Sequence, residues 1–144
     1  MPERKSWFAA HIDALHVRVD PLAVAVNTMV GAEAGGMLLE SLIKDLERQI
    51  QEREASAHRI FTEFCAGEDI PDIAETAGAA AWSAQWHVET GQRPHWVATY
   101  AMTADLVVAS RGAPGDEATA RATIEAVLLE TGRPLLIPST AAPV

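Results

Sequence analysis

Apolar side chains recur mostly at intervals of three and four residues between Met37 and Cys65, and this spacing predicts one long helix. Residues 9–19 instead alternate between apolar and polar side chains, which is typical of a strand, and Asp20-Pro21 predicts a turn behind it. Residues 80–89 alternate in the same way and predict a second strand. The first two thirds of the chain therefore read as strand, helix and strand.

The last third of the chain again alternates helices and strands, with shorter elements. The predicted elements are a helix over 95–103, a strand over 106–109, a helix over 116–131 and a strand over 135–137. Asp116 can cap the second of these helices, Gly132 can end it, and its apolar spacing places Leu128 on the inner face. Alternating strands and helices predict an α/β fold, an open doubly wound and mostly parallel sheet with helices on both faces.

Composition narrows the class of protein. The chain has 144 residues, enough for one domain with a single core. A net charge of −9 disfavours non-specific binding to nucleic acid or to anionic membranes, and no apolar run reaches the length of a membrane span. The single cysteine, Cys65, excludes an internal disulfide and is expected to be a buried structural thiol. These features predict a cytoplasmic protein.

Four segments stand out by their order and spacing: Ala14-Leu-His-Val17 followed by Asp20-Pro21, Trp82 through Gly91, Ala104-Asp-Leu-Val-Val108, and Gly132-Arg-Pro-Leu-Leu-Ile-Pro138. Together they resemble the universal stress protein family, most closely the first domain of its two-domain members. The resemblance implies an adenine nucleotide alpha hydrolase-like fold. It also implies a homodimer, often formed through the last strand, or pairing with a second universal stress domain.

In one branch of that family ATP binds at the carboxyl ends of the strands, so ATP is the cofactor that the resemblance implies. The nucleotide-binding residues to be expected here are Val17, Ser110, Arg111, Gly112, Gly115 and Ala122. The family's glycine-rich loop is not matched: its two glycine positions fall on Ser110 and Ala113, and its final pair falls on Arg121-Ala122. Gly112 and Gly115 do stand with two residues between them, which is weak evidence for a displaced phosphate loop.

A second departure lies at the start of the chain. Family members begin with a strand and a full helix before the segment that resembles Ala14 to Val17, and only thirteen residues stand in that place here. We therefore interpret 1–144 as a single universal stress protein-like domain that lacks the family's first strand and most of its first helix. Three explanations are a start codon placed too late, which we favour, a strand from a partner chain, and recruitment of Leu22 to Val26 to the sheet.

Candidate chemistry is sparse. The five histidines have no metal-ligand spacing, so no metal site is predicted. Arg111 follows a strand end and can bind a phosphate or merely neutralise Asp116 or Glu117. Trp82 and Trp86, on one strand face, are expected in the core rather than in a stacking site.

These features predict a non-catalytic stress-response module that acts by dimerisation or partner docking and has a degenerate nucleotide loop. The first alternative is an ATP-binding stress regulator that uses the loop 110–116. Two carboxylates at the start of a helix, Asp116 and Glu117, disfavour an anion there. A small hydrolase is the weakest alternative, because neither a nucleophile and base pair nor a Gly-x-Ser-x-Gly turn is evident.

Overall fold

A computed structural model describes residues 10–29, 36–71 and 82–138, and the chain divides into two units, Met1–Glu89 and Thr90–Val144. The elements of the first unit are β1 (His11–Arg18), α1 (Pro21–Met29), α2 (Gly36–Gly67) and β2 (Ser83–Thr90), the last residue of which opens the second unit. The second unit contains α3 (Arg93–Ala101), β3 (Val107–Val108), α4 (Glu117–Ala126), a π-helical turn (Val127–Thr131) and β4 (Leu135–Leu136).

The long helix α2 confirms the prediction from apolar spacing and extends about 48 Å at 1.5 Å per residue. Its exposed side carries ion pairs at helical spacing, such as Lys44 with Glu40 at 2.7 Å and Arg59 with Glu63 at 3.2 Å. Pairs this exposed contribute only a few tenths of a kcal/mol each. The stability of α2 therefore depends on its packing against the rest of unit 1.

Strands β1 and β2 form a two-stranded sheet that packs on α2. The polar contacts between the strands advance in the same chain direction, from His11 with Ser83 at 2.8 Å to Asp13 with His87 at 2.7 Å, as in a parallel pair. Side chains alternate between the two faces of such strands. One face therefore carries these polar contacts and the other is free to join the core.

The core of unit 1 lies between that second face and α2. Its buried members are Phe61, Cys65, Ile70 and Ala84, and the partly buried Ile12, Ala14, Trp82 and Trp86 pack against them. Trp86 also lies 5.4 Å from the ring of Phe61 and 5.9 Å from that of His16. The expectation that Trp82 and Trp86 belong to the core is confirmed, as is the buried position of Cys65.

The apolar run from Leu22 to Val26 is helical, so its proposed recruitment to the sheet is wrong. Asp20 is the reason, because its carboxylate accepts hydrogen bonds from the backbone N–H groups of Leu22 at 2.9 Å and Ala23 at 3.3 Å. These bonds satisfy donors that a helix start leaves unpaired, and the proline that follows suits the first helical position. The dipeptide Asp20-Pro21 thus begins helix α1 rather than only turning the chain.

Unit 2 contains the short parallel pair β3 and β4 and two helices that pack on each other, α3 and α4. Val107 pairs with Leu135 and Val108 pairs with Leu136. Backbone N–H groups of Val107 and Ala109 donate across the pair, at 3.0 Å to Pro134 and 3.1 Å to Leu136. The sequence of strand, loop, helix and strand that the pattern predicts for this region is confirmed.

The predicted helix over 116–131 is not α-helical throughout, since its last five residues form the π-helical turn. A π-helical turn contains more residues than an α-helical one, so side chains after its start rotate away from the face that the α-helical period assigns to them. Val127 is still fully buried, but Leu128 is 56% exposed, and its predicted inner position is therefore wrong. Gly132 ends the turn in a left-handed conformation, as expected.

The α/β class is confirmed by this mixture of helices and small parallel sheets. In the part of the chain that the structure describes, the strands form two separate two-stranded sheets, one for each unit. No helix of that part is long and apolar enough to cross a membrane.

Candidate functional site

The loop between β3 and α4 in unit 2 is the segment to which sequence reasoning assigned function. Gly112 and Gly115 both adopt positive φ, at 87° and 89°, which other residues rarely do. The space at Gly112 is also closed, because a Cβ atom there would lie 2.8 Å from the Cβ of Ala120. Glycine at 112 therefore lets the loop lie against α4, whereas glycine at 115 serves the turn alone.

Both acidic residues at the start of α4 are engaged. Asp116 occupies the N-cap position, but its side chain makes no capping hydrogen bond, so the predicted capping role is wrong. Its carboxylate instead accepts a hydrogen bond from the Arg93 guanidinium, at 2.5 Å. The Glu117 carboxylate accepts a hydrogen bond from the backbone N–H of Gly115, at 2.8 Å. This loop amide, which a phosphate could use in a phosphate-binding loop, thus already has an anionic partner.

Beside the loop lies an open groove of about 600 Å³, which we call the arginine groove. It is lined by Arg111, Glu117, Ala118, Arg121, Ile124 and Ile137. Arg111 follows β3 and Ile137 follows β4, so the groove lies at the carboxyl ends of two parallel strands. Open α/β sheets place their ligands at this edge.

Arg111 does not neutralise Asp116, since Arg93 does so. Within the described residues Arg111 and Arg121 make no ion pair, and both are exposed. Of the proposed nucleotide residues, Ser110, Gly112 and Gly115 share the loop with Arg111. Ala122 is half-buried on α4, and Val17 belongs to β1 in the other unit.

The groove contains residues that sequence reasoning did not assign to a site. Arg121 was noted only as a departure from the family's loop, and Ile124 was assigned to the inner face of the helix. Ile137 was read as part of the last strand. The signal that could have identified them is their position in the fold. Each lies one or two turns into α4 or directly after β4, where the fold brings it close to the loop.

Unit 1 contains a polar cluster on the face of the β1–β2 sheet opposite α2. The Ser83 hydroxyl lies 2.8 Å from His11 Nδ1, and the Asp13 carboxylate lies 3.4 Å from His11 Nε2 and 2.7 Å from His87 Nε2. This order of groups resembles a nucleophile, base and orienting acid. Ser83 is only 1% exposed, however, so no substrate can reach its hydroxyl, and the cluster gives the hydrolase alternative no support.

The described residues contain no group of three or more His, Cys, Asp or Glu side chains arranged to hold a metal ion. The histidines of unit 1 instead take part in hydrogen bonds and ring packing. His58, for example, lies 5.2 Å from the ring of Trp86.

A titratable pair links the end of β1 to the middle of α2. The Arg18 guanidinium donates to the Glu54 carboxylate, with Arg18 Nη2 2.7 Å from Glu54 Oε1. This hydrogen bond is the main reason that the pKa of Glu54 lies below its ordinary value, and the charges of Arg18, His16 and His58 lower it further. The same bond raises the pKa of Arg18.

We expect this pair to make unit 1 less stable in acid. The pKa of Glu54 is lower in the folded chain than in the unfolded chain, where it is about 4.5. The stabilisation that the pair gives is therefore complete at pH values above 4.5 and is lost as the pH falls through the lower pKa of the folded chain. Glu54→Gln should therefore lower the free energy of unfolding at pH 7 and have less effect at pH 3. Denaturant unfolding at both pH values measures this. Arg18→Gln should behave alike, and a Glu54→Gln effect that is equal at both pH values would contradict the assignment.

Comparison of the chain with protein-family models, with curated proteins and with solved structures found no match.

Proposed function

We propose that the chain is a non-catalytic, universal stress protein-like interaction module that forms a homodimer through the β3–β4 sheet. The single observation that carries this proposal is the exposure of the registered pair Val108 and Leu136, at 61% and 52%. We call these two residues the apolar sheet face.

Parallel strands are normally covered on both faces, and a two-stranded sheet alone is marginally stable in water. Here the partners Val107 and Leu135 are half-buried, whereas the apolar sheet face is open. Four more large apolar side chains of unit 2 are at least half exposed: Met102, Leu106, Leu128 and Leu129. Apolar surface of this kind is typical of an interaction site.

A second copy of the chain is the occupant that we propose. The resemblance to universal stress proteins implies pairing through the last strand, which here is β4, and an identical copy supplies the same apolar pair about a two-fold axis. The proposal includes the doubly wound sheet, the cytoplasmic location and the role in stress response that this resemblance implies.

ATP-binding regulation through the loop 110–116 is less well supported by the geometry. The Glu117 carboxylate accepts the hydrogen bond of the Gly115 amide, so this loop amide is not free for a phosphate. An interaction module needs no such loop, so we place dimerisation first.

Changing Leu136→Asp should convert the dimer to a monomer, because two carboxylates would have to be desolvated in an apolar interface. Light scattering should then give the mass of one 15.4 kDa chain rather than of two. Leu22→Asp is the matched control, because Leu22 is 54% exposed but belongs to α1. Circular dichroism should show that both variants are folded. A monomeric native chain, or a Leu136→Asp variant that stays dimeric, would refute the proposed interface.

A further inference from the structure

The charges around the arginine groove are unbalanced in a chain that is otherwise acidic. Among the described residues, most basic side chains already have an acidic or carbonyl partner, namely Arg18, Lys44, Arg48, Arg59, Arg93 and Arg133. Three others, Arg53, Arg111 and Arg121, have no such partner among the described residues. Two of these three arginines line the same groove, although the chain as a whole carries a net charge of −9.

The two acidic residues at the start of α4 do not supply the missing partner. Asp116 is bound by Arg93, and Glu117, which lines the groove, is turned to the Gly115 amide. Both guanidiniums therefore have donors left for an oxyanion, which arginine binds through short, charge-assisted hydrogen bonds.

The rest of the lining is apolar. Ile124 and Ile137 are half-buried, so each presents part of its side chain to the groove. A ligand that contacted them would remove apolar surface from water, at about 25 cal/mol for each Å². The groove thus combines two cationic donors with an apolar wall.

We propose that the arginine groove binds a small organic anion, with its phosphate or carboxylate head on Arg111 and Arg121 and its apolar body against Ile124 and Ile137. Side chains hold the anion in this site, not the backbone amides of a glycine-rich loop. The site goes beyond the proposed dimer and does not depend on it, since the apolar sheet face has no residue in common with the groove.

Phenyl phosphate is a suitable probe, because it joins an oxyanion to an apolar ring. Titrations at 150 mM salt, followed by calorimetry and by backbone amide NMR shifts, should show saturable binding at least about tenfold tighter than that of inorganic phosphate. Benzoate tests whether a carboxylate head serves as well, and phenol tests whether the charge is required. The shifted amides should include those of Ile124 and Ile137.

The double variant Arg111→Gln/Arg121→Gln should lose at least about tenfold in affinity for phenyl phosphate, because both charge-assisted contacts are removed. Arg53→Gln is the matched control, since Arg53 is also an exposed arginine without a partner among the described residues, and it should bind like the native chain. Light scattering on the same samples tests the dimer separately. The proposal would be overturned if phenyl phosphate did not bind, or if the double variant bound it as tightly as the native chain. It would also be overturned if the chain bound only ATP, with the same affinity in the double variant.

Discussion

Chains that carry Phe61→Ala should lose about 3–5 kcal/mol of unfolding free energy, the usual cost of deleting a buried phenyl ring. Phe61 is 8% exposed and belongs to the cluster that joins α2 to the β1–β2 sheet. Its ring lies 5.4 Å from that of Trp86, so the substitution also removes an aromatic contact. The other buried members of the cluster are Cys65, Ile70 and Ala84, and the side chains of Cys65 and Ala84 are too small to fill the space that the ring leaves.

The matched control lies three residues further along the same helix. Phe64 is 50% exposed, so Phe64→Ala should cost less than about 1 kcal/mol. Urea unfolding followed by tryptophan fluorescence measures both variants, and Trp86 reports directly on the site. Equal losses in the two variants would show that this cluster is not the core of unit 1.

Gly112→Ala should lower the free energy of unfolding by about 2–5 kcal/mol, because two separate costs add at this position. The left-handed backbone costs a residue with a Cβ about 1–2 kcal/mol, and overpacking commonly adds 1–3 kcal/mol. The new Cβ would lie 2.8 Å from that of Ala120 and 3.1 Å from the carbonyl oxygen of Asp116. Neither neighbour can swing aside, since one is an alanine and the other is backbone.

Gly115→Ala separates these two costs. Gly115 has nearly the same φ, 89° against 87°, but no atom lies within 4 Å of the position of its absent Cβ. This variant should therefore lose only the backbone contribution, about 1–2 kcal/mol. Thermal unfolding of both variants gives the difference, and a Gly115→Ala loss equal to that of Gly112→Ala would show that contact with α4 does not matter.

The sequence predicted elements well wherever one period continued long enough. Helix α2 and strands β1 and β2 follow directly from apolar spacing and alternation. Helix α1 was missed because Leu22 to Val26 is a short apolar run without a period, and such a run fits a strand or a helix equally. The helix signal was present in Asp20-Pro21, an acceptor side chain followed by a proline that suits a helix start.

The π-helical turn illustrates a different limit. Apolar spacing assumes one helical period, so it cannot indicate where an extra residue enters the turn, and Leu128 was placed on the wrong face for this reason. Sequence also does not reveal which distant partner an acid will choose. Asp116 has a suitable position for a cap, yet Arg93, 23 residues earlier, takes its carboxylate.

The candidate site was predicted only in part. Arg111 and the loop from Ser110 to Gly115 could be located, because ligands collect after strand ends in α/β folds. The pairing of Arg111 with Arg121 and Ile137 depends on how α4 and β4 pack, which spacing along the chain does not encode.

Cys65 is a natural probe of how unit 1 opens. It is the only thiol in the sequence, it is 5% exposed, and it sits in the same cluster as Phe61. A bulky thiol reagent can modify it only when that cluster opens, so the rate of labelling in native buffer measures how often unit 1 opens. Because unit 2 contains no cysteine, the labelling rate reports on the opening of unit 1 without any engineered probe.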